Sequence, residues 1–325
     1  MLFWIFYFSG EIRNSDYGNE RNQTYCSFTT LPECAKIIAS QRKAELTMII
    51  HSDWHIHSEY SYDAENPLEL IALKAKQYGI QTVGITDHAN YNDEKFLGDL
   101  RRSAAAVRAA QEKYPFMVLG VELTPIEKPE FDHIARFGTR DGYTPPPSDH
   151  PFGIELACSK EELMALGVRY AIGASHARID SVICKKLPKS MDVYIKEWYR
   201  QQIFLACDER VTILGHPWYQ GEGIWYEDLS VIPHSMQLDI GAALKENGKY
   251  VECNAHFFLS KKATEKFRHQ YAELLREFFE MGIPVTYGSD SHQQYADVRD
   301  WVEQYLIPAG FSEGDFSELS EQDLW

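Results

Sequence analysis

Short apolar runs alternate with longer segments of helical spacing along most of this chain. Runs of strand length that are bounded by Gly, Pro or polar residues predict β-strands. The predicted strands are 48–50, 81–86, 116–121, 131–137, 169–173, 211–214, 250–253 and 284–287.

Segments with helical spacing lie between these strands. One helix is predicted to begin after Pro67, carry apolar Leu68 and Ile71 on one face and end at Gly79. Others are predicted over 98–113, 191–206 and 268–281. Roughly seven or eight strand–helix units in succession favour one α/β barrel over two domains. We therefore predict a barrel domain over residues 48–325.

Residues 1–47 differ from the rest and are predicted to form an N-terminal extension. Residues 11–22 are polar and turn-rich, and 32–43 fit one short helix. Either this segment packs outside the barrel domain or Met48 is the natural start of the protein, and the sequence leaves both interpretations open. The apolar stretch 2–8 is too short to span a bilayer and lacks the basic start of a signal peptide.

Two long connections stand between the predicted elements. Residues 138–153 include Arg140 and His150, and residues 215–228 are rich in aromatic side chains. Long loops in compact domains often act as lids or binding loops. The aromatic side chains of the second connection could stack on a ring-bearing substrate or pack at the mouth of the barrel, and packing is the simpler interpretation.

Histidines and acids follow the predicted strands. They occur in His55-Ile56-His57, Thr86-Asp87-His88, Gly120-Val121-Glu122, Ser175-His176, Gly215-His216-Pro217 and Gly288-Ser289-Asp290-Ser291-His292. Imidazole and carboxylate groups are suitable ligands for divalent metals, and barrels place their chemistry at strand ends.

The spacing within the first cluster allows two rings to reach one ion. Side chains at i and i+2 of a strand point to the same face, which applies to His55 and His57. Taken alone, such a pair is more often two hydrogen-bonded surface histidines. Six strand ends in register, with Asp290 and His292 again at i and i+2, reverse that balance and predict a metal site with several ions.

Four of these segments resemble the signature motifs of the PHP (polymerase and histidinol phosphatase) superfamily. The segments are His55-Ile56-His57, Thr86-Asp87-His88, Gly215-His216-Pro217 and Gly288-Ser289-Asp290-Ser291-His292. The resemblance covers about residues 49–292, in the expected order. It implies a distorted (β/α)7 TIM-like barrel with a trinuclear site of zinc, manganese or iron at the C-terminal ends of the strands.

The resemblance also implies three ligand sets. The first is His55, His57, Glu122 and Asp290; the second is Glu122, His176 and His216; the third is Asp63, His88 and His292. Glu122 would bridge the first two ions. Asp53 and Asp87 are expected to orient ligand imidazoles through hydrogen bonds, although for Asp87 a strand-end cap is an equal alternative. Glu252 and Asn254, at the end of another strand, are expected to line the pocket.

Three close divalent ions suit phosphoester hydrolysis. We expect a metal-bridging hydroxide to attack phosphorus in line, while the third ion binds a phosphate oxygen. A catalytic role is expected for Glu122, Asp290 and His292, although metal ligands have limited freedom to transfer a leaving-group proton. Arg178 is the fourth candidate, as a phosphate clamp, with a surface salt bridge to Asp180 as the equal alternative.

Other polar side chains are weaker candidates. Arg140 is a second possible phosphate-binding group. For His133, a core or surface position is the simpler interpretation. For His150, His234 and His269, an ordinary surface position is the simpler interpretation. His256 remains open between the pocket and the surface.

Charge and cysteine content limit the partners. The chain has 32 Lys and Arg against 48 Asp and Glu, a formal net charge of −16, which disfavours an extended nucleic-acid surface or an anionic membrane. A small phosphorylated substrate remains compatible, because bound cations reverse the local field. The six cysteines form no CxxC pair, so a reducing cytoplasm is the expected location.

We therefore predict a metal-dependent phosphatase of the histidinol-phosphatase type that acts on a small phosphate monoester. The runner-up is a nucleotide or oligonucleotide phosphoesterase of the same superfamily. A non-enzymatic alternative is a metal-binding module with a vestigial site, although no ligand is missing. An unrelated amidohydrolase is disfavoured because no lysine is suitably placed to bridge metals.

Overall fold

The computed structural model of the chain describes residues 48–90, 94–127, 153–176, 190–219 and 225–325. Its strands are β1 Asp53–Ile56, β2 Val83–Ile85, β3 His88–Ala89, β4 Met117–Leu123, β5 Ile126–Glu127, β6 Ile154–Glu155, β7 Tyr170–Ala174, β8 Ile213–Gly215, β9 Tyr250–Asn254 and β10 Val285–Gly288. The main sheet runs in the order β1-β2-β4-β7-β8-β9-β10, and every pairing between these neighbours is parallel. The short β3 pairs with β4, and β5 pairs with β6 in a separate antiparallel sheet.

The residues directly after β10 bring the two edges of the sheet together. The Asp290 amide donates to the carbonyl of His55 at 2.8 Å, and the His57 amide donates to the carbonyl of Ser291 at 3.1 Å. The seven parallel strands thereby form a nearly closed barrel. The prediction of a distorted (β/α)7 barrel is confirmed.

Helices connect the strands and cover the outside of the barrel. They are α1 Leu68–Tyr78, α2 Glu94–Gln111, α3 Lys160–Ala165, α4 Met191–Cys207, α5 His234–Glu246, α6 Ala255–Leu259, α7 Glu265–Glu280 and α8 Arg299–Leu306, with a 3-10 turn at Leu229–Val231. Outward strand residues such as Val121, Ala171 and Leu214 join the apolar faces of these helices in the main core. None of the helices described is long and apolar enough to cross a membrane.

A smaller apolar cluster fills the barrel interior. Alternate residues of a strand point to opposite faces, so Tyr170 and Ile172 of β7 face inward while Ala171 faces the helices. The inward residues pack with Trp54, Ile213, Tyr250 and Leu319. The barrel is therefore a packed core beneath its C-terminal end.

Gly84 makes room for one large side chain in this interior. A Cβ at Gly84 would lie 1.9 Å from the Tyr170 hydroxyl oxygen and 2.7 Å from the carbonyl oxygen of Trp54. The absence of a side chain lets Tyr170 reach across and donate a hydrogen bond to that carbonyl at 2.6 Å. Glycine at this position is thus required by close approach.

The last residues of the chain cross the N-terminal ends of the strands. The Ser317 amide donates to the carbonyl of Val285, the first residue of β10, and the Trp325 amide donates to Arg169, the residue before β7, both at 2.7 Å. Between them, Leu319 enters the interior cluster and is only 7% exposed. This segment closes the end of the barrel opposite the strand-end histidines.

Replacement of Leu319 by Ala is expected to lower the free energy of unfolding by about 2–5 kcal/mol, because it leaves a cavity in the interior cluster. Urea unfolding followed by circular dichroism measures this loss. The matched control is Leu73→Ala on α1, where the side chain is 50% exposed and the expected change is within about 0.5 kcal/mol. Equal stabilities of the two variants would contradict the packing role of Leu319.

The apolar run at residues 48–50 is not a strand, contrary to prediction. The backbone amides of Ile49 and Ile50 donate to the Glu303 side chain at 2.9 and 3.0 Å, so a carboxylate from α8 replaces a neighbouring strand. The other predicted strands and helices are present with shifted ends, except that 131–137 lies outside the described residues. So does the proposed N-terminal extension over 1–47. Helices α3, α5, α6 and α8 were not predicted.

Candidate metal centre

The proposed metal ligands converge at the C-terminal end of the barrel. His55 lies within β1 and His88 within β3, while Glu122 lies near the end of β4. Four further histidines and two aspartates lie in the segments that follow strands. These are His57, Asp63, His176, His216, Asp290 and His292.

Glu122 occupies the middle of the cluster and is fully buried. Its two carboxylate oxygens face different imidazoles. Oε2 lies 3.3 Å from His55 Nε2, 3.2 Å from His57 Nε2 and 2.9 Å from His88 Nδ1; Oε1 lies 3.3 Å from His176 Nε2 and 2.9 Å from His216 Nε2. A carboxylate with a separate set of nitrogen donors at each oxygen is suited to bridge two cations.

Asp290 and Asp63 extend the cluster on either side. Asp290 Oδ1 lies 3.6 Å from His55 Nε2 and 3.3 Å from His57 Nε2. Asp63 Oδ2 lies 3.3 Å from His88 Nε2 and 3.6 Å from His292 Nε2. Three groups have donor atoms all within 4.8 Å of one another: His55, His57 and Asp290; His88, Glu122 and His176; and His57, His88 and His292.

Two buried carboxylate oxygens provide a test of whether cations fit here. Glu122 Oε2 and Asp290 Oδ1 are both buried and accept no hydrogen bond. An unsatisfied buried acceptor is costly, and a carboxylate oxygen is satisfied by a cation as well as by a donor. The donor set of imidazoles and carboxylates is one that divalent transition metals bind. The residues present therefore fit a metal centre.

The electrostatics of the cluster also call for positive charge. Burial raises the pKa of Glu122, but the surrounding imidazoles outweigh it and hold that pKa well below its usual range. Burial lowers the pKa of His88, yet the charges of Glu122 and Asp63 outweigh it and raise that pKa to about 10. The lowered pKa of Glu122 means that this carboxylate favours positive charge beside it, either on protonated imidazoles or on metal cations.

Hydrogen bonds orient two of the rings. Thr124 donates its hydroxyl proton to Asn90 Oδ1 at 2.5 Å, so its oxygen accepts from His176 Nδ1 at 2.9 Å. The Nδ1 of His292 donates to the Asp290 carbonyl at 3.0 Å. In both rings this leaves an unprotonated Nε2 toward the cluster, which is the form that binds a metal.

The roles predicted for Asp53 and Asp87 as partners of ligand imidazoles are wrong. Asp87 accepts from the Ser58 amide at 2.6 Å, the Ser58 hydroxyl at 2.7 Å and the Ser103 hydroxyl at 2.6 Å, so the strand-end cap is the correct alternative. Asp53 accepts from the Ser289 amide at 2.9 Å and the Tyr295 hydroxyl at 3.1 Å, and burial raises its pKa to about 6. Both aspartates fix the backbone next to ligands.

Some aromatic side chains near the metal centre are buried in the main core, and others lie next to the proposed ligand histidines. Trp218, Trp225 and Tyr226 are buried in the main core, in agreement with the packing interpretation. Tyr219 is half-buried, with its ring 5.2 Å from that of His216. Tyr62, which was not singled out from the sequence, lies on the other side with its ring 5.4 Å from that of His88.

Several candidate residues lie outside the described part of the chain. They are Arg178, Arg140, His133 and His150. His256 is exposed at the start of α6, and its ring lies 5.8 Å from that of Tyr219. His234 is exposed and pairs with Glu277 at 3.1 Å, as expected for a surface histidine.

The fold and this cluster together define a parallel-stranded barrel with a candidate multinuclear metal centre at its C-terminal end. A family model for the PHP domain matches residues 53–256, which is more than half of the chain. The chain therefore belongs to the PHP-domain family, and the resemblance seen in its motifs is confirmed. The match ends before Asp290 and His292, which the structure places in the same cluster.

Known proteins that are similar to this chain include a probable phosphatase and a histidinol phosphate phosphatase. A probable phosphatase of Acetivibrio thermocellus is 42% identical over 50 residues, which cover 15% of this chain and 20% of that relative, so the chain spans about a fifth of its length. The crystal structure of a histidinol phosphate phosphatase from Lactococcus lactis, complexed with zinc, L-histidinol and phosphate, matches with a TM-score of 0.56 and 19% identity. That match covers 84% of this chain and 98% of the other, and it concerns the fold.

Proposed function

We propose that this protein is a metal-dependent phosphatase that hydrolyses a small phosphate monoester. The observation that carries the proposal is the position of Glu122, whose two buried oxygens each face a separate set of imidazoles. The PHP-domain family and the names of the two similar proteins support phosphate ester hydrolysis as the reaction.

The proposed centre holds three divalent ions, of zinc, manganese or iron. The ligand sets are His55, His57, Glu122 and Asp290 for the first ion; Glu122, His176 and His216 for the second; and Asp63, His88 and His292 for the third. When bound, such ions supply Lewis-acid activation of a water molecule and neutralise the charge of a phosphate group.

The exposure of the side chains indicates where a substrate would approach. His55 and Glu122 are fully buried, whereas His176 is 24% exposed and both His292 and Asp63 are 31% exposed. The phosphate would therefore enter beside the third ligand set, with the leaving alcohol toward solvent. The rings of Tyr62 and Tyr219 lie next to those of His88 and His216, and we expect them to contact the substrate.

The chain's own groups have distinct tasks in this proposal. Glu122 fixes the spacing between the first two ligand sets, and Asp290 and His292 are the other proposed catalytic groups. As ligands, both have little freedom to transfer a proton. Arg178 remains the proposed phosphate clamp because a guanidinium binds two phosphate oxygens at once.

Phosphate release from a panel of substrates tests the proposal. Metal-loaded protein is incubated separately with histidinol phosphate, nucleoside monophosphates, sugar phosphates and a single-stranded oligonucleotide, with heat-denatured protein as the blank. We expect inorganic phosphate from at least one small monoester, with histidinol phosphate the first candidate. Cleavage of the oligonucleotide alone would favour a nuclease, and bound metal without any turnover would favour a vestigial module.

A further inference from the structure

Glu252 is a buried carboxylate of β9 that belongs to none of the proposed ligand sets, yet it contacts two of them. Its side chain is 2% exposed. Oε1 accepts from Nδ1 of His55 at 2.6 Å, and Oε2 accepts from the backbone amide of His216 at 2.6 Å. Both oxygens are therefore engaged by proposed ligands of different ions.

The contact with His55 decides which ring nitrogen faces the cluster unprotonated. Because a carboxylate only accepts, the proton of a neutral His55 ring is held on Nδ1. Nε2 is left with its lone pair directed at the centre, 3.3 Å from Glu122 Oε2 and 3.6 Å from Asp290 Oδ1. This tautomer is the one that binds a metal at Nε2.

The contact with His216 supports an unfavourable backbone conformation. His216 has a φ of 24°, in a region that side-chain-bearing residues seldom adopt. The bond from its amide to Glu252 holds the backbone there, and the ring then places Nε2 at 2.9 Å from Glu122 Oε1.

Asn254 extends the same arrangement to a third ligand. Its side-chain amide donates to Glu252 Oε2 at 3.1 Å and to Asp290 Oδ2 at 3.3 Å. Asp290 also has a positive φ, of 53°. The carboxylate of Glu252 is thus hydrogen-bonded directly to His55 and, through Asn254, to Asp290, and both of these residues belong to the first ligand set.

The neighbouring strand leaves space for this carboxylate. Thr286 of β10 pairs with Glu252, and a Cβ on nearby Gly288 would lie 2.0 Å from Glu252 Oε1 and 2.6 Å from His55 Cβ. Any residue other than glycine would displace the Glu252 side chain or the His55 ring.

We propose that Glu252 is a positioning residue of the metal centre, which sets the His55 tautomer and the His216 backbone and so aligns ligands of two ions at once. The inference rests on the proposed function only for the assignment of His55 and His216 as ligands.

Glu252→Gln separates the electrostatic and hydrogen-bonding role from side-chain volume. A glutamine has one acceptor oxygen, so it can satisfy His55 Nδ1 or the His216 amide but not both. In one orientation the glutamine NH2 group faces the His216 backbone amide, and two donors then oppose each other. In the other orientation the NH2 group faces His55 Nδ1, which must then accept, so the His55 proton moves to the metal-facing Nε2. Either orientation disturbs one ligand set.

The experiment titrates metal-free protein with Zn²⁺ alone, in the presence of a competing chelator, for the wild type, Glu252→Gln and Glu303→Gln. Glu303 is the matched control, because it is also a buried glutamate that accepts two backbone amides but contacts no proposed ligand. We expect the Zn²⁺ affinity to fall about 10–100-fold in Glu252→Gln and to stay unchanged in Glu303→Gln. An unchanged affinity in a folded Glu252→Gln protein overturns the proposal.

A second readout needs no variant. Long-range proton–nitrogen NMR of the Zn²⁺-loaded wild type reports which nitrogen of His55 carries the proton. We expect the proton on Nδ1, and a His55 ring protonated at Nε2 would also overturn the proposal. These measurements use no substrate. Tight Zn²⁺ binding that weakens in Glu252→Gln, together with no turnover of any phosphate ester, would leave Glu252 as a positioning residue and defeat the proposed function alone.

Discussion

Glu122→Gln is expected to reduce phosphatase activity by roughly 10³-fold and to lower the metal content of the purified protein. The wild-type carboxylate lies within 3.3 Å of nitrogen atoms from five imidazoles and carries the negative charge shared between two ligand sets. Glutamine keeps the volume but is neutral and has only one acceptor oxygen. Loss of one partner from a buried charge cluster costs about 3–5 kcal/mol, and each 1.4 kcal/mol of barrier is about tenfold in rate.

Elemental analysis and steady-state rates on the same preparation measure both effects. Glu69→Gln is the control, because Glu69 is an exposed carboxylate paired with Lys113 at the surface. It should keep the metal content and the rate of the wild type. A folded Glu122→Gln protein with full metal content and full activity would refute the bridging role of Glu122.

Removal of the metals is expected to abolish activity and to lower the thermal midpoint of unfolding. Ions that bind only the folded chain stabilise it by mass action, by about 2.7 kcal/mol at a free concentration one hundred times Kd. Without them, protonated imidazoles must balance the buried charges of Glu122 and Asp290 among the residues that the structure describes. Dialysis against a chelator, followed by calorimetry and activity assays, tests both effects.

Addition of divalent metal to the stripped protein should restore both the midpoint and the rate. The affinity should increase with pH, because the raised pKa values of His55 and His88 mean that protons compete for the ligand positions and are released on binding. Glu122→Gln, which holds less metal, serves as the control and should show a smaller shift of the midpoint on dialysis. Wild-type protein that retains full activity after complete removal of metal would exclude the proposed reaction.

The ligand positions could be predicted from the sequence because they depend on local rules. The i, i+2 spacing of His55 and His57 places both rings on one face of a strand wherever that strand lies. Parallel strands bring their C-terminal ends to the same side of a barrel, so Glu122, His216 and Asp290 were expected to converge before any contact was known.

The groups that hold the ligands in place could not be predicted in the same way. Glu252 was expected only to line the pocket. Its hydrogen bond to His55 could not be predicted, because it depends on the register between β9 and β10 and on the space beside Gly288. Asp53 and Asp87 precede ligands in the sequence but bond to backbone and hydroxyl groups that tertiary packing brings to them. Residues 48–50 were predicted to be a strand because they are apolar. Their sequence does not reveal that the Ile49 and Ile50 amides donate to the Glu303 side chain instead of to a neighbouring strand.

The packed barrel interior beneath the metal centre limits the routes by which substrate can enter and products can leave. Trp54, Tyr170 and Leu319 fill the barrel, and the final residues cross its far end, so the described part of the chain leaves one face of the cluster in contact with solvent. In the proposed reaction, ester and water arrive, and alcohol and phosphate depart, through the same opening beside Asp63 and His292. Turnover would then require each product to clear that opening before the next ester could enter.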